Sequence, residues 1–193
     1  MNPTIKIIKK EVLSDNYYTL HNVMYEYTEN GSSVETHHRE AYDRGNGAVI
    51  LLYNSAKKKI ILTRQFRLPT YINGNATGML VEACAGQLDQ DDPEGCIIRE
   101  TEEETGYRIS KVKRIFDAYM SPGSVTEILY FFVGAYENSM KVSEGGGASN
   151  EQENIQVLEL DFEEAFQMIS TGEIRDAKTI ILLQYAKIEK LFE

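Results

Sequence analysis

Tryptophan is absent from this 193-residue chain, histidine occurs three times and cysteine twice, and each scarcity removes a class of explanation. Cys84 and Cys96 are too few for the disulfide framework of a small secreted domain; they read as small buried apolar residues in a reducing, cytoplasmic setting. His21, His37 and His38 lie far in sequence from both, so no structural-zinc pattern can be traced. Positive charge is also short. The 20 Lys and Arg stand against 30 Asp and Glu, a formal net charge of -10, which repels a polyphosphate backbone and argues against nucleic acid as a partner. The strongest apolar run, Ala48 to Tyr53, is far below membrane-spanning length, and the opening MNPTIKIIKKEV holds no apolar core of signal-peptide length. No membrane partner is expected, and no internal repeat is visible.

What remains supports a packed protein. With 42% hydrophobic residues the chain can fill a core, and at this size it buries roughly 70% of the surface its unfolded form exposes, without help from a disulfide or structural metal. Asn30-Gly31 between two extended-looking stretches, 17–28 and 33–42, signals a hairpin. The run Asp43-Arg44-Gly45-Asn46-Gly47 then breaks the pattern and divides an N-terminal β domain, 1–44, from a main domain, 45–193. Strands are expected at 48–53, 59–64, 79–84, 113–119, 126–136 and 155–160, with a turn at 55–58. A helix should run from Pro93 to Thr105, with Asp92 as N-cap and Gly106 as its stop. A second starts at Asp161 with Glu164 completing a capping box. A third follows Asp176 with Ala177, Ile180, Ile181, Gln184 and Ile188 spaced for a partly buried face. The polar stretch 137–154, holding Gly145-Gly146-Gly147, has no hydrophobic period and is of a length found in functional or disordered loops. The sum is an α+β chain.

The segment 86–107 carries the chemistry. It holds eight carboxylates and one guanidinium, and Glu100, Glu103 and Glu104 stand at i, i+3 and i+4 on one helical face. Like charges there repel by a few tenths of a kcal/mol per pair, and they crowd the end whose dipole already disfavours anions. A hard divalent cation resolves the conflict: Mg²⁺ takes oxygen ligands and is commonly held by one or two carboxylates plus substrate phosphates. Charge alone favours the commoner fate of such runs, a solvated acidic face.

The run Arg99-Glu100-Thr101-Glu102-Glu103-Glu104-Thr105-Gly106-Tyr107 resembles the metal-binding half of the Nudix hydrolase signature, with Thr101 and Tyr107 at its two apolar positions. The front half departs. Asp91 stands where the family has Glu, only four residues separate it from Gly86, and Ala85 falls at the family's Gly position. Further stretches extend the resemblance over nearly the whole chain to the nucleoside-diphosphate-sugar branch of that family: 13–17, 39–40, 42–47, 64–67, 120–123, 145–147 and 171–176. It implies an α/β/α Nudix sandwich preceded by a small antiparallel β domain exchanged across a homodimer.

The same resemblance implies Mg²⁺ as cofactor, with Mn²⁺ as a substitute, held by Glu100, Glu104 and the backbone oxygen of Ala85. Glu103 joins when more than one ion binds, and Arg99 orients the carboxylates, its alternative being an ordinary partner of Glu103 at i, i+4. Glu153 is the implied loop acid that reaches the metal and activates water; Glu151 competes for the role, and Gln152 lies beside it. Implied substrate contacts are Tyr17, His38, Arg39 and Glu40 from the β domain, then Arg67, Ala85, Gly86, Gln87, Glu104, Glu127, Gln152, Glu153 and Lys178. Each has a plainer alternative: Tyr17 as a half-buried strand tyrosine, Lys178 as an exposed lysine, a loop glutamate as a solubilising residue. The implied reaction is hydrolysis of the pyrophosphate of a nucleoside diphosphate sugar, GDP-mannose first and ADP-ribose second. A non-catalytic nucleotide-sugar sensor is the reading from another class.

Overall fold

The structure is a computed structural model and describes residues 2–29, 31–88, 92–147 and 154–193. The chain forms two compact units: Met1–Asn46 with Tyr119–Ile128, and Gly47–Ala118 with Leu129–Glu193.

In the first unit, β1 (Thr4–Asp15), β2 (Thr19–Thr28) and β3 (Glu35–Asp43) make an antiparallel sheet in that order. The hairpin signal falls between β2 and β3, in register from Thr19↔Asp43 to Tyr27↔Glu35. β1 has no counterpart among the expected strands. Two register shifts, Ile7/Lys9 and Val12/Ser14, interrupt its alternation, and it is exposed along nearly its whole length, so neither a period of two nor an apolar face betrays it. The 119–128 segment belongs to this unit through backbone bonds: the Tyr42 amide donates to the Ser124 carbonyl (2.8 Å), and the Thr126 amide donates to the Tyr42 carbonyl (3.1 Å).

The second unit contains β4 (Gly47–Asn54), β5 (Lys59–Phe66), α1 (Leu68–Ile72), β6 (Met79–Glu82), β7 (Ala85–Gln87), α2 (Pro93–Thr105), β8 (Lys113–Tyr119) and β9 (Ile128–Ala135). A 3₁₀ turn (Asn138–Met140), β10 (Gln156–Asp161), α3 (Phe162–Thr171) and α4 (Ala177–Ile188) complete it. The sheet order is β10-β5-β4-β9-β8, with β6 on β5, β7 on β4, and β4 parallel to β9. β4 lies at the centre, and its residues Ala48 to Leu52 are completely or almost completely buried, which is why it reads as a continuous apolar run rather than an alternation. Ala48, Ile50 and Leu52 join Ile97 of α2 in one core cluster, and α4 also packs on β4. Each large apolar side chain buried this way contributes about 1.5–3 kcal/mol.

Two expectations are corrected. The strand expected at 79–84 ends early, at Glu82 (β6), and a further short strand, β7, starts at Ala85 on a different neighbour. The break is held by the Ala83 amide, which donates to Thr179 Oγ1 (2.7 Å), and by the Ile50 amide, which donates to the Cys84 carbonyl (3.0 Å). The buried face of α4 is Thr179, Leu182, Leu183 and Ala186, whereas Ala177, Gln184 and Ile188 are exposed. The apolar run 180–183 points in every direction around the helix, so periodicity does not choose a face. The hydroxyl of Thr179 does, bonded to Asp176 Oδ2 (2.6 Å) while it accepts from Ala83. Thr179→Val should therefore lower unfolding free energy by about 2–3 kcal/mol in denaturant titration, since it leaves a buried amide and a carboxylate oxygen short of partners while keeping the side-chain shape.

Candidate active site

α2 is built as its sequence dictates. Asp92 Oδ1 accepts from the Glu94 and Gly95 amides (3.0 and 2.9 Å), and Gly106, at φ +77°, closes the other end. The glycine-rich segment then adds what periodicity cannot suggest. The Gly146 amide donates to the Glu104 carbonyl (2.9 Å) and the Gly147 amide to the Glu103 carbonyl (3.1 Å), so two amides meet the helix end where the carboxylates crowd. A Cβ on Gly145 would overlap the Glu104 carbonyl, so only glycine allows this approach.

The acidic residues of α2 separate into two sets. Glu102 is paired through both oxygens with Arg108 (2.8 Å each), and Glu103, 41% exposed, lies 3.0 Å from Arg99 Nη1. The same Arg99 nitrogen donates to Glu100 Oε1 (2.9 Å), so Arg99 is both the i, i+4 partner of Glu103 and a tether for Glu100. Glu104 is only 3% exposed, and its Oε2 accepts from the Ala85 amide (3.3 Å). Glu100 lies directly over Gly86, where an added Cβ would run into its Cγ and Cδ. Ala85, Gly86, Glu100 and Glu104 are thus brought together, whereas Glu103 stays on the solvent side. Burial, and then the neighbouring Glu104 and Glu100 charges, hold the Cys84 thiol well above its ordinary pKa, so it is neutral.

This donor set fits a hard divalent ion. It offers two carboxylates at i and i+4 beside a bare stretch of backbone, with no imidazole. Among the described residues no three acidic, His or Cys side chains gather closely enough to hold an ion unaided. Backbone, water and substrate oxygens would have to complete the shell, as they do for an ion that retains water and binds phosphates.

Arg67 and Lys178, far apart in sequence, share one carboxylate. Glu82 Oε2 accepts from Arg67 Nε (2.7 Å) and Oε1 from Lys178 Nζ (2.5 Å), which also reaches Asp176 Oδ1 (2.9 Å). Burial works to lower the pKa of both cations. The charge of Glu82, with Glu104 and Asp176 for Arg67 and Asp176 for Lys178, more than offsets it, so both are raised and stay charged. Lys178 is therefore no exposed lysine. Sequence reasoning missed Glu82 altogether, although a carboxylate ending the apolar strand Met79–Glu82 is a visible signal.

Tyr17, His38, Arg39, Glu40 and Glu127 lie in the first unit. Tyr17 is 86% exposed, which removes its alternative as a half-buried strand residue, and meets Tyr18 edge-on at 4.7 Å. His38, Arg39 and Glu40 follow one another on β3, with the Arg39 guanidinium donating to the His38 carbonyl (2.7 Å). A cleft of about 570 Å³ within this unit is lined by Arg39, Glu40, Tyr119 and 122–126. Glu127 pairs with Arg44 (3.4 Å). In the second unit, Gln87 closes β7, where its carbonyl accepts from the Cys96 thiol (3.1 Å). Asp91, Glu151, Gln152 and Glu153 lie outside the described residues. Among the described residues no helix is long and apolar enough to cross a membrane.

Comparison with known proteins gives two family matches: residues 4–42 match the GDP-mannose pyrophosphatase NudK N-terminal domain, and residues 43–183 match the NUDIX domain. Curated relatives named GDP-mannose pyrophosphatase, from Escherichia coli O1:K1 / APEC, Shigella flexneri and Shigella dysenteriae serotype 1 (strain Sd197), are each 52% identical over 193 residues, covering 100% of both chains.

Proposed function

This chain belongs to the Nudix hydrolase family, and on that premise we propose that it hydrolyses the pyrophosphate bond of GDP-mannose to GMP and mannose 1-phosphate. The observation that carries the chemistry is the meeting of Glu100 and Glu104 with the Ala85–Gly86 backbone; the name of the full-length relatives selects the substrate. Mg²⁺, or Mn²⁺ in its place, supplies Lewis-acid polarisation of the phosphates and lowers the pKa of water.

The chain's own residues do the rest. Glu100, Glu104 and the Ala85 backbone oxygen hold the ion, and Arg99 keeps Glu100 from swinging into solvent while steadying Glu103 for a further ion. Arg67 and Lys178 bind pyrophosphate oxygens and stabilise charge that grows on them as the bond to the leaving phosphate breaks. Gly86 and Gln87 offer backbone at the same place. Tyr17, His38, Arg39, Glu40 and Glu127 recognise nucleoside and sugar, Tyr17 by an exposed aromatic face suited to stacking on a base. Glu153, with Gln152 beside it, takes the proton of the attacking water; Glu153→Gln and Glu151→Gln assayed side by side assign that role.

The N-terminal β domain, 1–44, is exchanged across a homodimer in this reading. The exposed Ile5, Ile7, Val12 and Leu13 of β1 support a surface that a second copy covers, and sedimentation giving only monomer would rule it out.

Product analysis tests the reaction. GDP-mannose and ADP-ribose are incubated with protein and Mg²⁺, each with a chelator control. GMP and mannose 1-phosphate that vanish with chelator are expected. Preferential cleavage of ADP-ribose overturns the choice of substrate, and tight GDP-mannose binding without product in excess Mg²⁺ would make the protein a sensor.

A further inference from the structure

Glu82 closes β6 with a carboxylate that is 3% exposed. Burying a carboxylate is costly unless charge and hydrogen bonds compensate. Here each oxygen holds one cation, Arg67 at 2.7 Å and Lys178 at 2.5 Å. The arrangement closes on itself. Lys178 reaches Asp176 Oδ1 (2.9 Å), and Asp176 Oδ2 accepts from the Thr179 amide (3.0 Å) and hydroxyl (2.6 Å). Thr179 Oγ1 in turn accepts from the amide of Ala83, the neighbour of Glu82 (2.7 Å). β6 and the first turn of α4 are therefore locked together through the carboxylate that holds both cations.

Such a network is a poor device for stability, since buried ion pairs are often no better than apolar packing of the same volume. It is an effective device for orientation. Arg67 is bound to Glu82 only through Nε, its side chain is 40% exposed, and its terminal nitrogens have no hydrogen-bond partner among the described residues. Long cationic side chains otherwise lose much rotamer freedom when they grip an anion. The charge of Glu104 also acts on Arg67.

We infer that Glu82 is a positioning residue: it holds Arg67 and Lys178 as a preset pair for the two phosphates of the substrate. This deepens the proposed reaction and rests on it. Glu82 touches no reacting atom in this assignment; it acts through the two cations.

The test is a double-mutant cycle read in two ways: kcat/KM on whichever nucleoside diphosphate sugar the wild type cleaves best, and binding of inorganic pyrophosphate by calorimetry. Glu82→Gln should lower kcat/KM about 10²-fold and weaken pyrophosphate binding about 10-fold or more. Added to Arg67→Ala/Lys178→Ala it should change either quantity by less than about twofold, because the groups it acts through are gone. A purely structural role predicts the same further loss in both backgrounds, and that result overturns the inference. Glu82→Asp keeps the charge but withdraws it by one methylene; should Glu82→Gln fail to fold, this variant decides, with about a 10-fold loss expected and wild-type values fatal. Wild-type protein that cleaves no nucleotide sugar but loses pyrophosphate binding in Glu82→Gln refutes the proposed reaction and leaves this assignment standing. Wild-type protein that binds no pyrophosphate overturns it.

Discussion

Glu104→Gln lowers kcat about 10³-fold while the protein stays folded. The substitution keeps the size of a side chain that is 3% exposed and keeps an acceptor for the Ala85 amide, so packing and that hydrogen bond survive. It also removes one negative charge from a helix face that carries Glu100, Glu103 and Glu104 beside Arg99, which relieves repulsion and leaves the thermal midpoint unchanged or higher. On the proposed assignment, what is lost is an anionic ligand of a divalent ion whose stabilisation of transition-state charge would be worth several kcal/mol; a loss of about 4 kcal/mol corresponds to the 10³-fold. Steady-state kinetics in saturating Mg²⁺ with parallel thermal melts checks it. Wild-type turnover from the folded Glu104→Gln variant would sink the metal assignment, because no plain solvated face requires this carboxylate.

Gly86→Ala should separate the site from the fold in another way. The added Cβ meets Cγ, Cδ and Oε1 of Glu100 before any backbone atom. A side chain yields more readily than a backbone, so Glu100 rather than β7 moves. Stability falls by about 1–3 kcal/mol, the usual cost of a small-to-large change that displaces a packed neighbour. The apparent Mg²⁺ requirement should rise about 10- to 100-fold, as when a group that orients a metal ligand is disturbed. Titration of activity against Mg²⁺ reads this directly. An unaltered midpoint would show that the position of Glu100 over Gly86 has no bearing on metal use.

The contrast between these two substitutions shows which features were legible. α2 could be read from end to end because its signals are local: Asp92, Pro93 and Gly106 act within one turn of themselves, and the observed helix has the expected bounds. β4 was equally plain, since a strand buried on both faces leaves an unbroken apolar run. β1 and the face of α4 were not. β1 has little buried side-chain pattern, and in α4 four consecutive apolar residues leave the choice to one hydroxyl bonded to a distant strand. The glycine triplet illustrates the same limit at the site: composition marks 145–147 as loop, but that its amides meet the carbonyls of Glu103 and Glu104 depends on a contact some forty residues away in the chain.

By itself the sequence determined the acidic helix, its caps and the spacing that sets Glu100 and Glu104 on one face, because these follow from periodicity and fixed spacing along a short segment; the family was legible as a resemblance over nearly the whole chain. Only the tertiary structure decided that Glu104 is buried against Ala85 while Glu103 meets solvent, and that Arg67 and Lys178 converge on Glu82. Those outcomes join β6, β7, α2, α4 and Arg67 at the start of α1. Which side of a helix is desolvated, and which charges share a carboxylate, is set by how elements pack across the sheet, and the order of residues along the chain carries no measure of that distance.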